Sequence, residues 1–410
     1  MVSQKVVIVG GGIGGPSLAY WLGKHGFSVV VIERAAFENQ DGQVVDIEGP
    51  CEEVVARMGI LDEIREKATR EKGVQIVDEK GRVRAMFPAG DAGGASKDIE
   101  IMRPVLGEIL YKVANVFENV EFRFGSVVTG TKQTENGVTV DVQDRASGAV
   151  TSEDYDFLVA CDGLRSRTRD SIFGAEISQA SVTSLHVFTA FFSIPRESDD
   201  GGYSRIFNMP GRRTIFIKPL NDKEMSALVI VAKHHDDLHE AQVLKDVQRQ
   251  KEVMAKRLEG EGWQAQRISR EILKSKNFYF EEVSQVKLDS WSKGRCVLLG
   301  DTAWCPSPLT GQGTNSAILG AYVLADKLVQ AQKEGNGVEK AFEAYEKQLR
   351  PYVTRIQTLP WGGRVIKIVN PDSKRAIWLS RTLAGVISSL KLYKYLPDTK
   401  EEYDEMPKLE

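Results

Sequence analysis

Gly10, Gly12 and Gly15 follow directly on the apolar run Lys5-Val6-Val7-Ile8-Val9, and Glu33 closes a second apolar run, Phe27 to Ile32. This spacing suits a dinucleotide. The first glycine permits a tight turn, the second lets backbone approach a pyrophosphate, and the third lets the next helix pack closely on the strand. Unpaired N–H groups at the start of the helix running from Ser17 through Leu22 would meet the phosphates. Glu33 stands where an acid grips a ribose hydroxyl pair, and Arg34 beside it is placed with the cofactor-binding residues. A glycine pattern alone also describes an ordinary turn; the strand, helix, Gly26 C-cap and second strand around it decide for the dinucleotide.

Two further strand ends carry polar groups. Asp154 to Cys161 reads as a buried strand ending in Asp162-Gly163-Leu164-Arg165-Ser166-Arg167-Thr168-Arg169, and Arg295 to Leu299 as another ending in Gly300-Asp301. Ligands of open α/β sheets collect at such ends. Pro308, Gly311, Gly313, Thr314 and Asn315 then shape a loop entering a long helix. Arg103 opens a helix with an apolar stripe at Val105, Leu106, Ile109, Leu110 and Val113; it can clamp a phosphate or pair with Glu100 or Glu108. No metal site is expected, because the histidines His25, His186, His234, His235 and His239 show no ligand spacing with cysteine, and His234-His235 reads as a solvated turn.

These groups need elements to position them. A chain of 410 residues has room for two or three domains, and a net charge of −3 with a pI near 6.1 gives no global basic excess for nucleic acid. Cys51, Cys161, Cys296 and Cys305 lack CxxC spacing and read as reduced thiols. With neither a signal peptide nor a membrane span in view, a soluble cytoplasmic protein is expected. Helices are expected at 50–58 and 61–68, a strand at 42–47, a hairpin across 74–87, and a mobile Gly/Ala-rich loop at 89–96. From Val182 to Ala232 the texture becomes that of a mainly antiparallel sheet, followed by a polar helix at about 240–258. Helices at 315–328 and 338–356 follow. Leu379, Leu383, Val386 and Leu390 share one face of a basic tail helix, which is compatible with a membrane surface; packing over its own domain is the preferred reading.

Taken in order, Gly10-x-Gly12-x-x-Gly15 with Glu33, Asp162-Gly163-x-x-Ser166-x-x-Arg169, and Gly300-Asp301 with Pro308 and Gly311-Gln312-Gly313-Thr314-Asn315 resemble the class A, single-component flavoprotein monooxygenases of the aromatic hydroxylase type. Within that family the chain is most similar to the branch of tetracycline-inactivating and fungal natural-product enzymes. The resemblance spans roughly residues 5 to 350. It implies an α/β fold: a Rossmann-like FAD-binding domain (1–73, 97–175 and 284–350), an inserted mainly antiparallel substrate domain (74–96 and 176–283) and a C-terminal helical tail (351–410). It implies that Glu33 holds the adenosine ribose, Arg103 reaches the FAD linker, Asp301 bonds the ribityl or phosphate side, and Gly313, Thr314 and Asn315 meet the pyrimidine edge of the flavin. Asp46 is a weaker match beside the flavin, and Asp162 and Arg169 shape FAD and NADPH contacts. Trp304, where histidine is common in the family, and Gly320, where an acid often stands, depart from the pattern.

The activity implied is insertion of one oxygen atom from O2 into an aromatic or polycyclic apolar small molecule, by hydroxylation or epoxidation through a flavin C4a-hydroperoxide, with NADPH or NADH as transient electron donor. Natural-product biosynthesis or xenobiotic breakdown is the setting. No catalytic side chain is required, since the cofactor carries the reactive oxygen. Phe188, Phe192, Phe207, Met209, Arg213, Ile215 and Phe216 are the candidate substrate walls, with core packing as the competing role for each. A reductase or dehydrogenase on the same scaffold, and a flavin-binding interaction protein, are the alternatives.

Overall fold

The computed structural model describes residues 3–36, 43–69, 71–89 and 99–395, with Met406 and Leu409. The expected loop at 89–96, beyond Ala89, and Gly42 of the expected 42–47 strand lie outside the described residues; Val44–Asp46 is a strand.

Six strands form a sheet in the order Ser292–Lys293, Cys296–Leu298, Phe157–Ala160, Lys5–Val9, Ser28–Ile32, Val120–Arg123. All pair in parallel except the first, a short hairpin partner. Val6, Val7, Ile8, Leu158 and Val159 are fully buried, so neighbours of both parities are covered. That is why these runs are continuously apolar rather than alternating. The helices Gly14–Lys24, Arg103–Ala114, Gly313–Glu334 and Val338–Gln357 supply Leu18, Trp21, Ile109, Leu110, Tyr322, Phe342 and Tyr345 to the same core. Cys296–Leu298 lies beside Phe157–Ala160 although most of a second sheet separates them in the chain.

That second sheet has seven strands, ordered Tyr279–Val286, Val182–Pro195, Glu224–Val231, Arg213–Pro219, Ser204–Met209, Gly73–Val77, Val83–Pro88. It is antiparallel except between Ser204–Met209 and Gly73–Val77. One face is covered by three helices, Asp236–Leu244, Val247–Lys256 and Ala265–Lys274, around a separate core. The single helix expected at 240–258 is thus two. Lys245 takes a left-handed conformation, and the Asp246 carboxylate caps the second helix by accepting from the Arg249 N–H at 3.1 Å. The helix at 265–274 was not anticipated; Ile268 and Ile272, four apart, carry its buried stripe. Strand Tyr279–Val286 crosses the expected boundary at 284, with Phe280 in the second core and Val286 in the first.

The tail helix Lys374–Ser389 packs on the Gly73–Pro88 hairpin. A Cβ at Gly385 would come within 2.8 Å of the Arg84 carbonyl, and Arg381 pairs with Glu79 at 2.8 Å while donating to the Asn208 carbonyl at 2.9 Å. Leu379, Leu383, Val386 and Leu390 stay exposed on its other side. Among the described residues no helix is long and apolar enough to cross a membrane. All four cysteine thiols are free.

Candidate functional site

The glycine turn is built by exclusion. Gly10 has φ +116°, and a Cβ there would sit 2.7 Å from the carbonyl carbon of Cys161 on the neighbouring strand. A Cβ at Gly15 would overlap the Gly10 carbonyl, so the helix can approach the strand only through glycine. Glu33 folds back to the turn, its carboxylate accepting from the Gly11 and Ala35 N–H groups, both at 2.7 Å. Helix Gly14–Lys24 begins with neither a side-chain cap nor an acid in its first turn, so its N-terminal N–H groups face an anion-favouring field. Arg103 spans the turn: a Cβ at Gly12 would lie 3.3 Å from its Nη2. Among the described residues the Arg103 side chain makes no hydrogen bond or salt bridge. Arg34 is exposed, and its carbonyl accepts from Arg145 at 2.9 Å.

The second turn lies close to the first: a Cβ at Gly14 would stand 3.5 Å from the Leu299 side chain and 3.9 Å from that of Ala317. Gly300 (φ +65°) and Gly311 (φ +68°) are left-handed, and Gly313–Glu334 starts without a side-chain cap or an acid in its first turn. Asn315 is buried; its Oδ1 accepts from the Glu48 N–H at 3.2 Å, while among the described residues its Nδ2 finds no partner. Gln312 donates to Glu48 at 2.7 Å, fastening this loop to the segment that holds Asp46. Asp46 itself reaches within 3.5 Å of where a Cβ at Gly311 would stand. Thr314 is half-buried and Pro308 exposed. Asp301 is exposed, with many protein atoms nearby. Burial raises its carboxyl above the ordinary value, with Arg103 pulling the other way.

The Asp162 and Arg169 side chains bond to protein groups that fix the loops at two strand ends. The Asp162 carboxylate accepts from the Ser166 hydroxyl and from the Thr168 N–H and hydroxyl. Arg169 is buried and donates from all three guanidinium nitrogens: to the Ser178 hydroxyl, the Thr302 carbonyl and the Leu164 carbonyl, each at 2.9 Å. It braces the Asp162 loop against the Gly300–Thr302 turn. Trp304 and Gly320 also explain each other. A Cβ at 320 would come within 2.8 Å of the Trp304 ring, whose Nε1 donates to the Ser316 hydroxyl at 3.1 Å.

The substrate walls need the largest correction. Phe188, Phe192, Phe207, Met209 and Ile215 are buried in the core beneath the three helices. Arg213 also serves that side, bonded to Glu261 and to the carbonyls of Arg257 and Pro210. Only Phe216 belongs to the other face. Cross-strand register fixes that face as Tyr279, Phe191, Leu228, Phe216 and Ile206 in one row, and Glu281, Thr189, Ile230, Thr214 and Asn208 in the next. Alternation gives each residue's parity; which parity the helices cover is decided by chain far away. Sequence reasoning also missed Tyr279 and Glu281. The surrounding protein atoms raise the half-exposed Tyr279 hydroxyl and the buried Glu281 carboxyl above their usual values, and the charges of Asp301 and Arg103 act on both. Lys218, on the same face, is ion-paired with Glu100 and lies 3.7 Å from Glu71, joining this sheet to the short ribbon of Val44–Asp46 and Glu100–Met102.

Two glycine-cornered turns, with a guanidinium across one and a buried amide at the other that lack hydrogen-bond partners among the described residues, fit an FAD molecule. A family model described as an FAD binding domain matches residues 3–359. The chain belongs to this FAD-binding family of monooxygenases. The flavoprotein is 35% identical to the monooxygenase CTB7 of Cercospora beticola, over 96% of this chain and 94% of that one. It is 32% identical to the FAD-dependent monooxygenase asL6 of Sarocladium schorii, over 100% and 99% respectively. Among solved structures, tetracycline destructase Tet(51) superposes with a TM-score of 0.77 at 29% identity, covering 100% of both chains, and Tet(55) with 0.80 at 26%, covering 99% of both. The protein is therefore an FAD-dependent monooxygenase.

Proposed function

We propose that this monooxygenase transfers one atom of O2 to an aromatic or polycyclic, largely apolar small molecule, drawing electrons from NADPH or NADH, in natural-product biosynthesis or xenobiotic breakdown. The observation that carries this reading is the half-buried row Phe191, Leu228, Phe216 and Ile206 on the sheet face away from the three helices, an apolar wall flanked on one side by Asn208, Thr214 and Ile230, which the 366–370 segment covers. Such a lining suits a flat apolar substrate fixed by few hydrogen bonds. We take 1–73, 97–175 and 284–350 as the cofactor domain, 74–96 and 176–283 as the substrate domain, and 351–410 as the tail.

Bound FAD supplies the redox chemistry that activates oxygen. The chain's own residues position and shield. Glu33 holds the adenosine ribose, the N–H groups after Gly10 and Gly12 hold the pyrophosphate, and Arg103 neutralises it. Asp301 bonds the ribityl side. Gly313, Thr314 and Asn315 present the N-terminus of a long helix to the pyrimidine edge, where the positive end of the helix dipole favours negative charge. Asp162 and Arg169 act one step back, by fixing the backbone of both strand-end loops. The apolar sheet face excludes water from the reacting atoms.

The test is isotopic. Purified holoenzyme, NADPH and a panel of polycyclic phenols are incubated under 18O2, with NADPH consumption followed in parallel. Mass spectra showing a gain of one labelled oxygen in the organic product support the reading. Substrate-stimulated turnover that continues without O2 points instead to a reductase and overturns it.

A further inference from the structure

We propose that His186, His234 and Glu282 form a binding site for a divalent transition-metal ion of the Zn2+ type, separate from the flavin site. The chain has five histidines, and three of them gather around one carboxylate. Glu282 is the register partner of Phe188, so it lies on the helix-covered side of the sheet. Its side chain is only 9% exposed, and among the described residues no lysine or arginine pairs with it. Its neighbours are imidazoles. His186 Nδ1 lies 3.8 Å from one carboxylate oxygen and His239 Nδ1 2.9 Å from the other, while Ser184 donates its hydroxyl to the first.

The backbone is shaped to present these groups. A bulge between Ser184 and Val187 interrupts the pairing of the two strands, and His186 sits in it with φ +55°, a left-handed conformation uncommon for a residue with a Cβ. The Ser184 hydroxyl that reaches Glu282 also accepts from the His186 N–H at 3.0 Å. His234 comes from the connection after strand Glu224–Val231, and its ring centroid is 5.4 Å from that of His186.

One donor atom from each of His186, His234 and Glu282 lies within 4.8 Å of the others. Tetrahedral Zn2+ bound at ~2.0–2.1 Å needs donors roughly 3.4 Å apart, so the set must contract by about 1.4 Å. Both histidine side chains are about half exposed or more, at 64% and 47%, and can close that gap by side-chain rotation. Two imidazoles and a carboxylate suit a borderline ion such as Zn2+ better than Mg2+ or Ca2+, and they leave a fourth position for water. Outer partners are also in place. His239 orients Glu282, and Asp236 Oδ1 meets His234 Nε2 at 3.0 Å, the kind of carboxylate that steadies metal-bound imidazole. The bound ion would clamp the bulge, strand Tyr279–Val286 and the entry to helix Asp236–Leu244. Glu281, next to the ligand Glu282, faces the cofactor side.

The experiment uses untagged, full-length, FAD-loaded protein stripped of metal with EDTA. Titration calorimetry with ZnCl2 should show one equivalent bound with a micromolar dissociation constant, and a rise in Tm that MgCl2 does not reproduce. The double variant His186→Asn/His234→Asn keeps a residue tolerant of the left-handed backbone at 186. It should bind Zn2+ at least about tenfold more weakly and lose the Tm rise, with flavin content and metal-free Tm unchanged. Glu282→Gln should weaken binding likewise. Zinc binding of undiminished affinity in the double variant, or no wild-type binding tighter than about 1 mM, overturns the site.

Discussion

The two large sheets place candidate functional atoms differently. In the six-stranded parallel sheet both faces are packed, and what is free to meet a ligand lies at the strand ends: Gly10 to Gly15, Glu33 and Asp301. In the seven-stranded sheet one face is packed by helices and the other is covered only in part, by the 366–370 segment and Glu100, which leaves a half-buried row of one parity, Phe191, Leu228, Phe216 and Ile206, along several strands. The first arrangement writes itself into backbone geometry; the second depends on which side the helices happen to cover.

The sharpest break of this contrast is expected in the glycine turn. Gly15→Val forces a side chain into the Gly10 carbonyl, and the purified protein should be colourless after gel filtration; a yellow Gly15→Val protein would show that the close approach is dispensable. Next comes a matched pair on one sheet. Phe188→Ala, in the helix-side core, should cost about 3–5 kcal/mol of stability in urea melts, whereas Phe216→Ala should cost about 1 kcal/mol or less and raise KM for an accepted substrate. Equal stability losses from the two would erase the distinction between the faces.

A smaller effect is expected where Trp304 fills the space over Gly320. Gly320→Ala should lose about 1–3 kcal/mol by overpacking, and Trp304→Leu in the same chain should recover part of it. The smallest concerns the hairpin beneath the tail helix. Burial opposes charge on Asp78, but the Arg82 and Lys80 N–H groups and the Arg82 and Arg84 guanidiniums hold its carboxyl well below the ordinary range. The unfolded-state value is about 3.9, so this stabilisation is complete above about pH 5 and fades as pH falls through 3.9 toward the folded value. The stability gap between wild type and Asp78→Asn should therefore shrink between about pH 6 and pH 3.

Much of the cofactor side was legible because its constraints are local. Gly15 is needed for a close approach to nearby Gly10 and Gly311 for a left-handed turn, although Gly10 also meets the distant Cys161 strand, and continuous apolar runs announced strands buried on both faces. Asp162 and Arg169 stood in a recognisable pattern, yet their inward roles depend on Ser178 and Thr302, which only the folded chain brings near. Trp304 and Gly320 were visible as two departures; that they form one packing unit was not, since a loop and about two turns of helix separate them in the chain. Which face of the seven-stranded sheet lies under the helices could not be read, for a physical reason. A period of two sorts residues into two sets without naming the inner one, and the helix that would have named it, Ala265–Lys274, went unseen. The histidine cluster was likewise invisible to spacing, because Glu282 reaches His186 only through strand pairing.

The position of Cys296–Leu298 beside Phe157–Ala160 bears on how the chain is made. While the ribosome is still adding the intervening segment, Phe157–Ala160 has a partner on one edge only, and the N–H and C=O groups of the other edge remain open to any passing strand. The cradle for the flavin cannot close until the polypeptide has grown past Asn315. For about a third of its synthesis, from residue 161 to residue 298 of 410, the nascent protein therefore carries a sticky hydrophobic border, a window in which chaperone shielding guards against aggregation.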